Sequence, residues 1–145
     1  MSLFGSDRES LRAHFFRVWS KMEDAAPLEP LEAIIADVIN MHPEYHPVIA
    51  DPDANIDRDW HPKDGEANPF LHMALHIAIK EQLITDRPTG IVARFRSISA
   101  GQPDVHAAEH EMLEALAETL WEAQSQGCDP DLDAFLERLD ARVRG

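Results

Sequence analysis

Histidine recurs in this chain at a spacing that puts two imidazoles on one face of an α-helix, and it does so on apolar stripes that have to form a core. Six of the eight histidines fall into three pairs, His42/His46 in HPEYH, His72/His76 in HMALH and His106/His110 in HAAEH. Residues four apart on a helix are one turn from each other on the same side. A fold that buries those stripes must satisfy the rings with hydrogen bonds or with a ligand, because an unpaired buried imidazole is costly.

The rest of the pattern is helical, and no stretch alternates convincingly at period two. A first helix runs from about Asp7 to Met22, capped by Ser6, with Leu11, Phe15, Val18 and Met22 on one stripe. A second covers about Pro30–Met41 and buries Leu31, Ile35, Val38 and Ile39. Pro43 and Pro47 each follow a histidine, so HPEYHP reads as a helix end plus a turn. Residues from about 51 to 67 read as a long polar loop. Asn68-Pro69 then starts a helix to about Ile84, a shorter one follows over about Thr89–Ser99, and the longest spans about Asp104–Gln126 and stops at Gly127. Asp129-Pro130 caps a last helix to about Arg142. The expectation is a single all-α domain over 1–145, an up-and-down helical bundle of about five to six helices.

Composition limits the function classes. A chain of 145 residues with 44% hydrophobic and 28% charged residues has the make-up of a folded globular domain. The net charge of −14 speaks against nucleic acid as a partner, since phosphate neutralisation needs clustered Lys and Arg. The longest apolar run, 34–41, is too short to cross a bilayer, which speaks against a membrane partner. The first ten residues lack the basic start and apolar stretch of an export signal, so a cytoplasmic protein is expected. The single cysteine, Cys128, sits in a loop-like Gly-Cys-Asp-Pro context with no cation beside it, and excludes a thiolate zinc knuckle.

Helical projection turns the paired histidines inward. His72 and His76 share a stripe with Ile79 and Leu83; His106 and His110 share one with Leu113, Ala117 and Leu120; His42 lies within the arc of Leu31, Ile35, Val38 and Ile39. Up-and-down connectivity brings the three pairs to one pole of the bundle. The metal candidates are therefore His42, His46, His72, His76, His106 and His110. Glu109, at the border of its buried arc, and Glu32 are candidates for a carboxylate ligand or a partner that orients an imidazole. His14 and His61 are read as structural and solvent-facing. Imidazole without thiolate suits a divalent transition metal, iron or zinc, as one or two ions. HAAEH also matches the inverted zinc-protease signature, but the roughly 35 residues that follow it leave little room for a third ligand and a substrate cleft.

With PLEPLE at 27–32, HPEYH at 42–46, DGEANPFLHMALHIAIKEQ at 64–82, HAAEH at 106–110 and LWEAQ at 120–124, the chain resembles an uncharacterised bacterial family, domain-of-unknown-function family 1841. The resemblance covers most of the chain and implies no activity. Hemerythrin-like and DinB-like bundles are similar only in pattern. In the first, the counterparts are His14, His42, His72/His76 and His106 with Glu111, but His46 stands where a glutamate belongs and Glu111 points away from the His106 stripe. In the second, His42 with His106/His110 leaves His72/His76 unaccounted for.

Two readings follow. One is a metal-binding protein, either redox- or oxygen-related or a small metal-dependent enzyme. The other is a non-catalytic interaction or structural protein whose histidines form a buried hydrogen-bond network.

Overall fold

A computed structural model describes residues 8–61 and 68–144, and all the secondary structure in them is helical. The elements are α1 (Arg8–Glu23), α2 (Pro30–Asn40), a 3-10 turn (Pro43–Tyr45), α3 (His46–Ile49), α4 (Pro52–Asn55), α5 (Pro69–Thr85), α6 (Ile91–Ala100), α7 (Val105–Gln126) and α8 (Leu132–Arg144). The expected count of five to six is corrected to eight α-helices among the described residues. The two extra ones, α3 and α4, are single turns that apolar periodicity cannot register. Each has a proline in its first turn, and Asp51 caps α4 by accepting from the Ala54 amide at 3.2 Å. So the stretch read as loop from 51 begins with a helical turn. The expected Ser6 cap lies outside the described residues.

Local chemistry sets the other helix ends. Pro30 opens α2 behind a capping box in which the Glu29 amide donates to Glu32 Oε1 at 2.9 Å. Asn68 Oδ1 accepts from the amides of Phe70 (3.0 Å) and Leu71 (3.2 Å), and Asp104 from that of Ala107 (2.8 Å). Gly127, at φ 64°, closes α7 in the left-handed conformation glycine adopts without penalty. The last helix begins later than expected: Asp131, not Asp129, caps it, accepting from the Ala134 amide at 3.0 Å.

The chain divides into two compact units, Met1–Ile77 and Ala78–Gly145, and the boundary falls within α5. In the first unit α1 packs on α2 around Phe15, Val18, Ile35, Val38, Ile39, Ile49, Phe70 and Met73. Phe70 meets Phe15 and Phe16 at ring-centroid distances of 5.7 and 5.6 Å. Arg12 is 1% exposed there. Its guanidinium donates to the carbonyls of Asn55 (3.0 Å), Ile56 (3.0 Å) and Arg58 (2.8 Å) and lies over the rings of Trp60 and Phe70.

In the second unit α6, α7 and α8 pack on one another around Ile91, Ile98, Met112, Leu116, Phe135 and Leu139. Burying each such side chain contributes about 1.5–3 kcal/mol. Arginines of α8 bind acids of α7: Arg138 to Glu122 (2.6 Å) and Glu118 (3.5 Å), Arg142 to Glu111 (3.2 Å) and Glu114 (3.7 Å). Among the described residues no helix is long and apolar enough to cross a membrane.

Candidate metal centre

His42 comes first along the chain among the clustered imidazoles. It follows α2 with φ −130° and ψ 64°, outside the α region that the proline after it disfavours, and its side chain is 1% exposed. A carbonyl can only accept, so the 2.8 Å contact between Nδ1 and the Val38 oxygen makes Nδ1 the protonated nitrogen. In the neutral ring the lone pair is then on Nε2. A metal-binding histidine usually donates its other N–H to a carbonyl or carboxylate in this way. Tyr45 stacks on the same ring at 5.3 Å, with 7° between the planes. Burial, and secondarily the charge of Glu44, pushes the Tyr45 hydroxyl above its ordinary pKa, which keeps it a neutral phenol.

Helix α5 brings two more imidazoles to His42. The ring of His76, 0% exposed, lies 4.7 Å from that of His42, and the half-buried His72 lies 4.9 Å away, both edge-on. His72 and His76 turn Nε2 towards each other at 3.2 Å. Inward placement of His76 follows from more than one stripe: Phe70, Met73, Ala74, Leu75, Ile77 and Ile79 are buried too, so burial over 70–79 is not confined to one face of α5.

In the second unit His106 and His110 repeat the arrangement on α7, Nε2 to Nε2 at 3.1 Å. They are half-buried, and here the projected stripe needs correction. Burial on α7 centres on Ala108, Glu109, Met112, Leu113, Ala115, Leu116 and Thr119, so the stripe holds at Leu113, while His106, His110, Ala117 and Leu120 flank the buried arc. Glu109, expected at the border, is accordingly 1% exposed and pairs with Lys80 of α5 at 3.0 Å.

Lys80 was not among the residues singled out by sequence, although 72, 76 and 80 form one four-residue series along α5.

Spacing gives these pairs a chemical meaning. Two nitrogens bound to one ion at about 2.0–2.1 Å, at an angle between a right angle and the tetrahedral one, lie roughly 2.8–3.4 Å apart. Both Nε2 separations fall in that range. An N–H···N hydrogen bond between one protonated and one unprotonated ring also fits them.

The remaining candidates are engaged elsewhere. His46 Nε2 donates to the Ile39 carbonyl at 2.9 Å, and its ring lies 4.8 Å from Trp19. Glu32 binds Lys21 at 2.8 Å and completes the α2 capping box. That Lys21 bond first, then the bond to the Glu29 amide, lowers its carboxyl below the ordinary range. His14 Nδ1 accepts from Arg17 at 2.6 Å, His61 is exposed, Glu111 binds Arg142, and Cys128 is exposed.

No curated protein and no solved structure matches the chain. One family model does, over residues 7–141 of 145. With HPEYH, HMALH and HAAEH all inside that span, the chain belongs to the family described as Domain of unknown function (DUF1841).

Proposed function

We propose that this protein holds one divalent transition-metal ion, with His42, His76, His106 and His110 as donors and His72 adjoining them as a fifth imidazole. The observation that carries the reading is the Nε2-to-Nε2 spacing of 3.1 Å between the two α7 donors, matched on α5 by the 3.2 Å between the donor His76 and the adjoining His72. His42, His76, His106 and His110 together form a group able to hold a metal ion. The bond from His42 Nδ1 to Val38 supports it by orienting Nε2 as a donor atom. So does Lys80, one turn beyond His76 on the same continuous helix, because it bonds Glu109, which lies between His106 and His110 in sequence.

An imidazole set without thiolate favours zinc or iron. An ion of octahedral habit with four or five imidazoles keeps a position for water or a small ligand, and a redox or hydrolytic role would use that position. We leave His46 and Glu32 out of the donor set, because each is committed to a bond that shapes its own segment.

Thermal melting with and without added zinc(II) or iron(II) tests the reading. At a free metal concentration a hundredfold above Kd, binding should stabilise the wild type by about 2.7 kcal/mol, and the His76→Ala/His110→Ala variant should gain nothing. The alternative is a metal-free histidine network, which the same 3.1 and 3.2 Å contacts fit as hydrogen bonds. In that case neither metal changes the melting of the wild type.

A further inference from the structure

Glu109 is the most deeply buried carboxylate among the described residues, and its side chain is 2% exposed. It precedes one proposed ligand, His110, and follows another, His106, by one turn. A carboxylate in that place is the obvious hard ligand for an ion. Its Oε2, however, already accepts from Lys80 Nζ at 3.0 Å, and Lys80 stands one turn from His76 on α5. To ligate, Glu109 would have to leave an ammonium in a largely dehydrated setting, where breaking a charge pair is costly.

Resting on the metal reading above, we propose that Lys80 is a specificity-determining residue. By holding Glu109 it keeps the ligand shell all-imidazole and selects borderline ions such as zinc(II) over hard ions such as manganese(II). Carboxylate and water are the ligands manganese prefers, and imidazole suits zinc, so withholding the carboxylate disfavours the harder ion. The pair is also neutral as a unit. Lys80 therefore adds no net positive charge against a dication whose ligands are themselves neutral.

Competition titrations with zinc(II) and manganese(II) on the wild type, Lys80→Met, Glu109→Gln and the double variant decide the matter. In Lys80→Met the carboxylate is released, and manganese affinity relative to zinc should rise about tenfold or more. The cobalt(II)-loaded variant should then show the weaker visible absorption of a site that has gained oxygen ligation. Glu109→Gln alone should weaken zinc and manganese alike, because Lys80 loses its counter-charge, and leave their ratio at the wild-type value; the double variant should return to wild-type selectivity. An unchanged zinc-to-manganese ratio in folded Lys80→Met overturns the proposal, and so does a rise of that ratio in Glu109→Gln, which would make Glu109 a ligand. If Lys80→Met fails to fold by circular dichroism, the Glu109→Gln result decides alone. A wild type that binds neither ion overturns the metal reading itself, whereas a wild type that binds zinc with no response to Lys80→Met overturns only this step.

Discussion

The ring of His42 lies 4.7 Å from that of His76, and the two residues come from segments 34 positions apart in the chain. Both rings are buried, and His42 is held from behind by its bond to Val38. Such a pair separates from the neighbouring His46, whose Nε2–H serves the Ile39 carbonyl.

Alanine substitutions should split along that line. His42→Ala should abolish stabilisation by metal, read as the loss of the zinc-induced shift in melting temperature. His46→Ala should keep the shift and lower the metal-free stability by about 1 kcal/mol, through one lost hydrogen bond and its contact with Trp19. Equal loss of the shift in both variants would place His46 in the site as well.

Arg12 organises the segment after α4 from inside the first unit. Three carbonyls of 55–58 converge on its guanidinium, which also covers Trp60 and Phe70. Arg12→Ala should cost on the order of 3 kcal/mol, because buried carbonyls lose a charged donor. Limited proteolysis should then cut within 51–61. Arg12→Lys should recover only part of the loss, since an ammonium lacks the flat face that the guanidinium presents to the two rings.

Acid should act on Glu32 with a definite sign. Its folded pKa is lowered, first by Lys21 and then by the Glu29 amide. Its contribution is therefore fully present above the ordinary carboxyl pKa and is lost as pH falls through the lower folded value. Chemical denaturation of wild type and Glu32→Gln should show the widest gap near neutral pH, closing below about pH 4. A gap independent of pH would mean that the carboxylate charge contributes nothing.

Gly90 has φ 96°, and a Cβ there would stand 2.6 Å from Arg94 Nη1. Arg94 in turn binds Asp140 of α8 at 2.9 Å. Gly90→Ala should lower the melting temperature by several degrees through backbone strain and displacement of that arginine. Adding Asp140→Ala to Gly90→Ala should then cost less than Asp140→Ala does in the wild type, because the pair is already disturbed.

Apolar periodicity in the sequence was enough to place the six longer helices and to turn His42 and His76 inward. It erred where packing is asymmetric. On α7 the projected stripe held at Leu113 but ran on through the half-buried Ala117 and Leu120 and passed over the buried Ala108 and Ala115, and so put Glu109 at the border. Single-turn helices α3 and α4 have too few residues to show a period. Burial of Arg12 and the partnership of Lys80 with Glu109 depend on chain segments tens of residues away, which local pattern does not encode. The cap of α8 is Asp131 and not Asp129, two positions of the same residue type that local pattern does not separate.

X-ray absorption on untagged protein loaded with zinc(II) or iron(II), with elemental analysis of the same sample, tests the proposed centre most directly. The account predicts one ion per chain in a nitrogen shell at about 2.0–2.1 Å, with the outer scattering of at least three imidazole rings. A folded protein that retains no metal, or an ion bound by oxygen alone, would contradict it.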